Sequence, residues 1–190
     1  MANKSSIRIR ADKAKSFRCK NLIAVLENPK TIENIGSTVR NVDALGVEKL
    51  YVIDGNKLLP KKWNDMREKK SLNTISVGAI KWKYVRVFPD TQSCIDYLKL
   101  NGFTSVVTSP HTKGKTNTIL HEGKYTQKKL AVWFGNESHG ISDVALQNSE
   151  SCINMLMGGM VESMNLGTST GIVLYEVTKQ RRNYQKEKCL

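Results

Sequence analysis

Three short stretches gather residues that could do chemistry. The first is Asn34-Ile35-Gly36-Ser37-Thr38-Val39-Arg40, an amide and a guanidinium flanking a glycine early in a helix. Six helical residues turn through about 600°, so Asn34 and Arg40 share a site only if Asn34 bends toward it from the helix entry. The second is Gly135-Asn136-Glu137-Ser138-His139-Gly140-Ile141-Ser142, where two glycines bracket four polar residues after an apolar run. That pattern suits a loop that holds a ligand by its backbone. The third runs from Met155 to Thr178. Its paired glycines let a ligand approach the main chain closely, and its methionines can wrap a flat or sulfur-bearing ligand. Ser163 and Asn165 supply hydrogen bonds at the mouth of a helix that starts near Ser169. Ile172, Val173, Tyr175 and Val177 suit burial of that helix. The third stretch alone reads better as an ordinary loop feeding a core helix, and any one of the three alone is weak evidence of a site.

The elements between them decide whether they can meet. Leu22 to Leu26 is a continuous apolar run, hence a buried strand, stopped at Glu27-Asn28-Pro29. A helix follows from about Asn34 to Leu45 and closes at Gly46. Lys49 to Ile53 is the next strand, and one irregular helix is expected around Trp63 to Lys70. Trp82 to Phe88 alternates apolar with basic residues, as a half-exposed strand should. Asp90 or Thr91 caps a helix ended by Gly102. Phe103 to Thr108 is a strand followed by a polar loop of about 20 residues. Leu130 to Phe134 and Ser151 to Met155 complete the strands, with a short helix capped by Ser142 between them. Alternating strands and helices predict an α/β domain with a mainly parallel sheet flanked by helices. In that class, ligands sit beyond the carboxyl ends of the strands. The loops after Leu26, Thr108, Phe134 and Met155 should therefore share one edge.

Composition narrows the ligand. Thirty basic residues against 17 acidic ones give +13 over 190 residues, an electrostatic footprint for a polyanion, most commonly nucleic acid. Residues 1–20 form a basic arm expected to be partly disordered when nothing is bound, residues 21–180 the domain, and 181–190 a basic tail. Four cysteines, Cys19, Cys94, Cys152 and Cys189, are scattered, and the start leads into charge rather than an apolar stretch. Reduced thiols in a cytoplasmic protein are expected. His111, His121 and His139 are too dispersed to suggest a metal site, and no apolar run approaches a membrane span.

Taken together, the three stretches resemble the motifs of the TrmH (SpoU) family of S-adenosylmethionine-dependent RNA ribose 2′-O-methyltransferases, in the SPOUT superfamily. The likeness covers about Asn21 to Lys179. Asn34, Gly36 and Arg40 match the first motif, and Gly135 to Ser142 the second. Met155-Leu156-Met157, Gly159 and Ser163-Met164-Asn165-Leu166-Gly167 match the third. Leu156 stands where the family has proline and Gly167 where it has a second serine, so that turn is less rigid and one polar contact is missing.

The resemblance implies a C-terminal trefoil knot, a homodimer, and S-adenosylmethionine held bent among the knot loops. Backbone groups around Gly135, Met155 and Met164 would recognise the adenosine, and Thr108 lies at a strand end where it could join them. Asn34, Arg40, Glu137, Ser163 and Asn165 would form the catalytic set. Arg40 holds the central place in the family pattern, yet a guanidinium is a poor base. It reads better as a clamp on an RNA phosphate that polarises the hydroxyl, and the base is left open. Transfer RNA is the expected substrate, ahead of ribosomal RNA. Base methylation and a non-catalytic RNA-binding module are the competing readings.

Overall fold

The computed structural model describes residues 6–111 and 116–188. Lys4 of the basic arm and Cys189 lie outside the described residues. Seven strands form one parallel sheet: β1 (Cys19–Glu27), β2 (Val47–Ile53), β3 (Tyr84–Phe88), β4 (Thr104–Ser109), β5 (Asn117–Ile119), β6 (Leu130–Phe134) and β7 (Ser151–Asn154), in the order β3-β2-β1-β6-β4-β7-β5. Every pairing is parallel. The helices are α1 (Ser6–Ser16), α2 (Ile32–Ala44), α3 (Trp63–Glu68), α4 (Lys70–Ile75), α5 (Thr91–Leu100), α6 (Asp143–Gln147) and α7 (Leu166–Lys188).

The apolar runs are continuous because both sheet faces are covered. Leu22, Ala24 and Leu26 face a core shared with Val39 of α2 and Val173 and Val177 of α7, while Ile23 and Val25 face Cys94, Ile95 and Leu98 of α5. From β1 the chain winds outward to β2 and β3, and from β6 it winds the other way to β7. The crevice between the carboxyl ends of β1 and β6 is thus a switch point, where α/β sheets bind ligands. Farther along, β7 enters between β4 and β5, two strands already joined to one another. That order accords with the C-terminal knot that the resemblance implies. Among the described residues, no helix is long and apolar enough to cross a membrane.

Several expectations are corrected. Residues 6–16 of the arm are helical, and Arg10, Ala11, Lys13, Ala14 and Lys15 are good helix formers that need no buried face. β1 starts at Cys19, inside the span assigned to the arm. The boundary drawn at residue 180 falls inside α7, and Arg181 is only 5% exposed. Its guanidinium donates to the carbonyls of Tyr125, Gln127 and Lys20, and that of Arg182 donates to Leu45 O. These two cations are internal fastenings. α7 begins at Leu166 rather than near Ser169, and only Val173 and Val177 of its expected core residues are buried; Ile172 is 42% and Tyr175 60% exposed. The segment around 63–75 forms two short helices, and the long polar loop contains the edge strand β5. At the entry to β3 the expected alternation is inverted. Lys83 points inward at 1% exposure while Trp82 and Tyr84 face solvent.

Candidate active site

The loop after β6 is organised by its own side chains. Asn136 and Gly140 exchange backbone hydrogen bonds at 2.9 and 2.8 Å, closing the loop on itself. Asn136 Oδ1 accepts from the amides of Ser138 and His139, and its Nδ2 donates to Asn28 O at 2.5 Å, across to the turn after β1. Gly140 takes φ +67°, and a Cβ on Gly135 would lie 2.2 Å from the Gly140 carbonyl carbon. Both motif glycines are therefore demanded by the backbone. Ser142 caps α6 by accepting from Ala145 N. Its amide and hydroxyl also donate to the buried carboxylate of Glu27, which Thr91 contacts from α5. Glu27 thus fixes the position of the loop's far end.

The polar motif residues converge from three strand ends. Glu137 accepts from Lys30 N at 3.0 Å and from Asn34 Nδ2 at 2.5 Å. Asn34 Oδ1 in turn accepts from Asn165 Nδ2 at 3.1 Å. Asn165 Oδ1 receives the amides of Gly167 and Thr168, capping α7. Thr31 caps α2 from the other side of Asn34. A polar seam locks α2 to α7: Asn41 Nδ2 donates to Gly167 O at 2.6 Å and to Thr170 Oγ1 at 3.0 Å. Two further glycines permit close packing. A Cβ on Gly36 would press on Ile75 at 2.6 Å, and one on Gly167 would meet Ser37 at 3.0 Å. Glycine at 167 lets the first turn of α7 approach α2, where the resemblance leads one to expect serine.

These residues rim a cleft of about 660 Å³, lined by Asn34, Thr108, Gly135, Glu137, Met155, Ser163, Met164 and Asn165 among others. Eight of the nine expected site residues line it. Arg40 does not: it is exposed and lines an adjoining hollow of about 650 Å³ with Ser37, Ile75, Thr168, Ile172 and Tyr175. Asn165 borders both spaces. Thr108 is a wall residue whose hydroxyl donates to Trp133 O at 2.9 Å. Sequence reasoning missed Lys30 and His111, which line the cleft beside Met157 of the third motif, and the buried Glu27. Lys30 lines the cleft, its ammonium against Ser138 Oγ; the Asn28-Pro29 turn before it was the available signal. Among the described residues, no cluster of His, Cys, Asp or Glu could hold a metal.

A cleft at a switch point, walled by glycine turns and thioethers and rimmed by amides and a carboxylate, suits a polar cofactor with a flat moiety. A family model described as the SpoU rRNA Methylase family matches residues 21–175. The chain belongs to that family. Among SpoU relatives, a tRNA (guanosine(18)-2'-O)-methyltransferase of Thermus thermophilus is 32% identical over 160 residues, 84% of this chain and 75% of that one. The enzyme of the same description from Aquifex aeolicus is 31% identical over 86% of this chain and 72% of its own length. A crystal structure of the A. aeolicus TrmH/SpoU tRNA modifying enzyme superposes with a TM-score of 0.76 at 27% identity, covering 94% of this chain and 86% of that one. The parallel sheet flanked by helices is the SPOUT architecture.

Proposed function

We propose that this chain transfers a methyl group from S-adenosylmethionine to a ribose 2′-hydroxyl of transfer RNA. One observation carries the reading: the Glu137–Asn34–Asn165 chain of hydrogen bonds closes the rim of a cleft large enough for that cofactor, at the sheet's switch point. The cleft fits the group chemically. Gly135 cannot carry a Cβ, so main chain stands at the wall, and Met155, Met157 and Met164 offer polarizable side chains to a flat ring and a sulfonium. Backbone groups around Gly135, Met155 and Met164 would hold the adenosine, with Thr108 completing the wall. When bound, the cofactor supplies an electrophilic methyl.

The chain's own residues then orient and exclude. Glu137 holds the Asn34 carboxamide, and Asn165 holds it from the other side, so both amides enter the reaction pre-positioned. Ser163 lies beside them at the mouth. Arg40 acts through the charge of its guanidinium fork: from the adjoining hollow it clamps an RNA phosphate and draws the ribose hydroxyl toward the cleft. Much of the acceleration comes from alignment of oxygen, carbon and sulfur, which is worth several kcal/mol in well-oriented systems (~7–11).

Transfer RNA is favoured by the names of the relatives at 31–32% identity, and guanosine 18 is the first position to examine. Ribosomal RNA is the second reading, raised by the family's description. A homodimer is part of the proposal, supported by the exposed Ile172 and Tyr175 beside Arg40, and a cytoplasmic location goes with an RNA substrate. The test is calorimetry with S-adenosylmethionine, then labelled-methyl transfer onto total RNA separated by size. Label in the transfer RNA fraction is expected. Label confined to ribosomal RNA would move the substrate, and no cofactor binding would leave an RNA-binding module.

A further inference from the structure

The inverted entry to β3 carries an inference of its own. Burying an ammonium is unfavourable unless it is paired, yet Lys83 is inside, donating to Val47 O at 2.8 Å and facing Asp43 at 3.4 Å. Burial pulls the pKa of Lys83 below its ordinary value, and Asp43 opposes that shift. The register that buries Lys83 turns Trp82 and Tyr84 outward, 55% and 46% exposed. The same register buries Val85 and Phe88. Of the two exposed rings, Tyr84 joins a row. Tyr84 lies 6.2 Å from the ring of Trp63, and Arg67 stacks over Trp63 at 4.6 Å. Trp63 Nε1 donates to Lys83 O, tying the row to the buried lysine. Arg18, which follows the basic α1, donates to Trp82 O at 3.5 Å.

We propose that Trp82 and Tyr84, flanked by Arg18, Lys81 and Arg67, form a platform on which unpaired RNA bases stack outside the methylation cleft. Surfaces that take single strands without strict sequence preference combine cations along a backbone track with aromatic faces for successive bases. Both components are present, and the net charge of +13 favours a polyanion over an apolar protein partner. β3 is one of the two edge strands, three strands from β6, or about 15 Å across the sheet. The platform therefore grips RNA away from the reacting ribose and acts on KM rather than kcat. The inference rests on the reading of this chain as an RNA enzyme.

The experiment titrates the full chain with a short oligouridylate and with inorganic polyphosphate, which has charge but no bases, following tryptophan fluorescence. Oligouridylate is expected to quench the signal and polyphosphate to leave it unchanged. Trp82→Ala and Tyr84→Ala should each weaken oligouridylate binding about tenfold and raise KM for RNA, leaving S-adenosylmethionine affinity and kcat alone. Trp82→Phe should keep most of the affinity. Equal quenching by polyphosphate, or unchanged affinity and KM in the alanine variants, would overturn the platform. So would a change in sedimentation without a change in RNA affinity, which would make the row a protein contact. If the wild-type chain methylated RNA while the alanine variants matched it, the platform alone would fall; if the wild-type chain bound neither RNA nor cofactor, the functional reading would fall with it.

Discussion

Asn34 Nδ2 lies 2.5 Å from Glu137 Oε1, joining the first turn of α2 to the loop after β6. Glu137 is exposed, and the backbone amide of Lys30 also donates to it. Its carboxylate thus serves to aim an amide, and a group used in that way is replaceable only by another acceptor of similar reach. Glu137→Ala should lower kcat by up to about 100-fold, the penalty of a reacting group displaced by about 1 Å. Glu137→Gln, which keeps an acceptor oxygen, should lose less. Steady-state kinetics with calorimetry for the cofactor separates the two effects; an unchanged kcat in Glu137→Ala would remove the positioning role.

Arg40 stands apart from the cleft, in the hollow it shares with Tyr175 and Ile172. Arg40→Ala should abolish turnover and leave S-adenosylmethionine affinity nearly intact. Arg40→Lys should recover only part of the rate, because a point charge replaces a planar fork. Equal losses of turnover and cofactor affinity would make Arg40 a structural residue of the α2–α7 pair.

The three stretches were legible because each is local. Gly135 to Ser142 states its loop in its own residues: a close-approach glycine, an organising Asn136, a left-handed Gly140 and a capping Ser142. Parallel strands were legible as continuous apolar runs, and the caps at Asp90 and Ser142 followed from side-chain chemistry. Long-range choices were not legible. Nothing near position 83 says that Asp43, in α2, will face its ammonium, so the alternation read inverted at the entry to β3, from Trp82 to Tyr84. Arg181 looked like a tail cation because its acceptors lie in 125–127 and at Lys20. The place of Arg40 was open for a similar reason, since a two-thirds-turn offset places it either in the cleft or beside it.

Alkaline pH should destabilise the fold through buried acids. Burial pushes the Cys94 thiol from an ordinary 9.0 up to about 12 and the Tyr125 phenol from 10.0 up to about 12. Both groups ionise first in the unfolded chain. Their contribution is therefore complete below about pH 9 and declines as pH rises toward 12, where the folded state holds more protons. Lys83 works in the opposite sense, its pKa being lowered by burial, and offsets part of the decline. Cys94→Val should make stability fall less steeply between pH 9 and 11, read from denaturant midpoints. Identical slopes would show that Cys94 does not titrate late.

α1 presents Arg8, Arg10, Lys13 and Lys15 on an exposed helix. Removing residues 1–16 should weaken RNA binding and flatten its dependence on salt, by about 0.9 in the log–log slope for each duplex phosphate that the helix neutralises. Affinity unchanged across a salt series would leave α1 a solubility feature.

The most direct measurement is mass mapping of the nucleoside methylated when the chain acts on unmodified transfer RNA with S-adenosylmethionine. A ribose 2′-O-methyl nucleoside, with its 3′ linkage resistant to alkali, is the predicted product. A methyl group on a base, or none on transfer RNA at all, would contradict a cleft whose rim, closed by Asn34 and Asn165, orients a sugar hydroxyl.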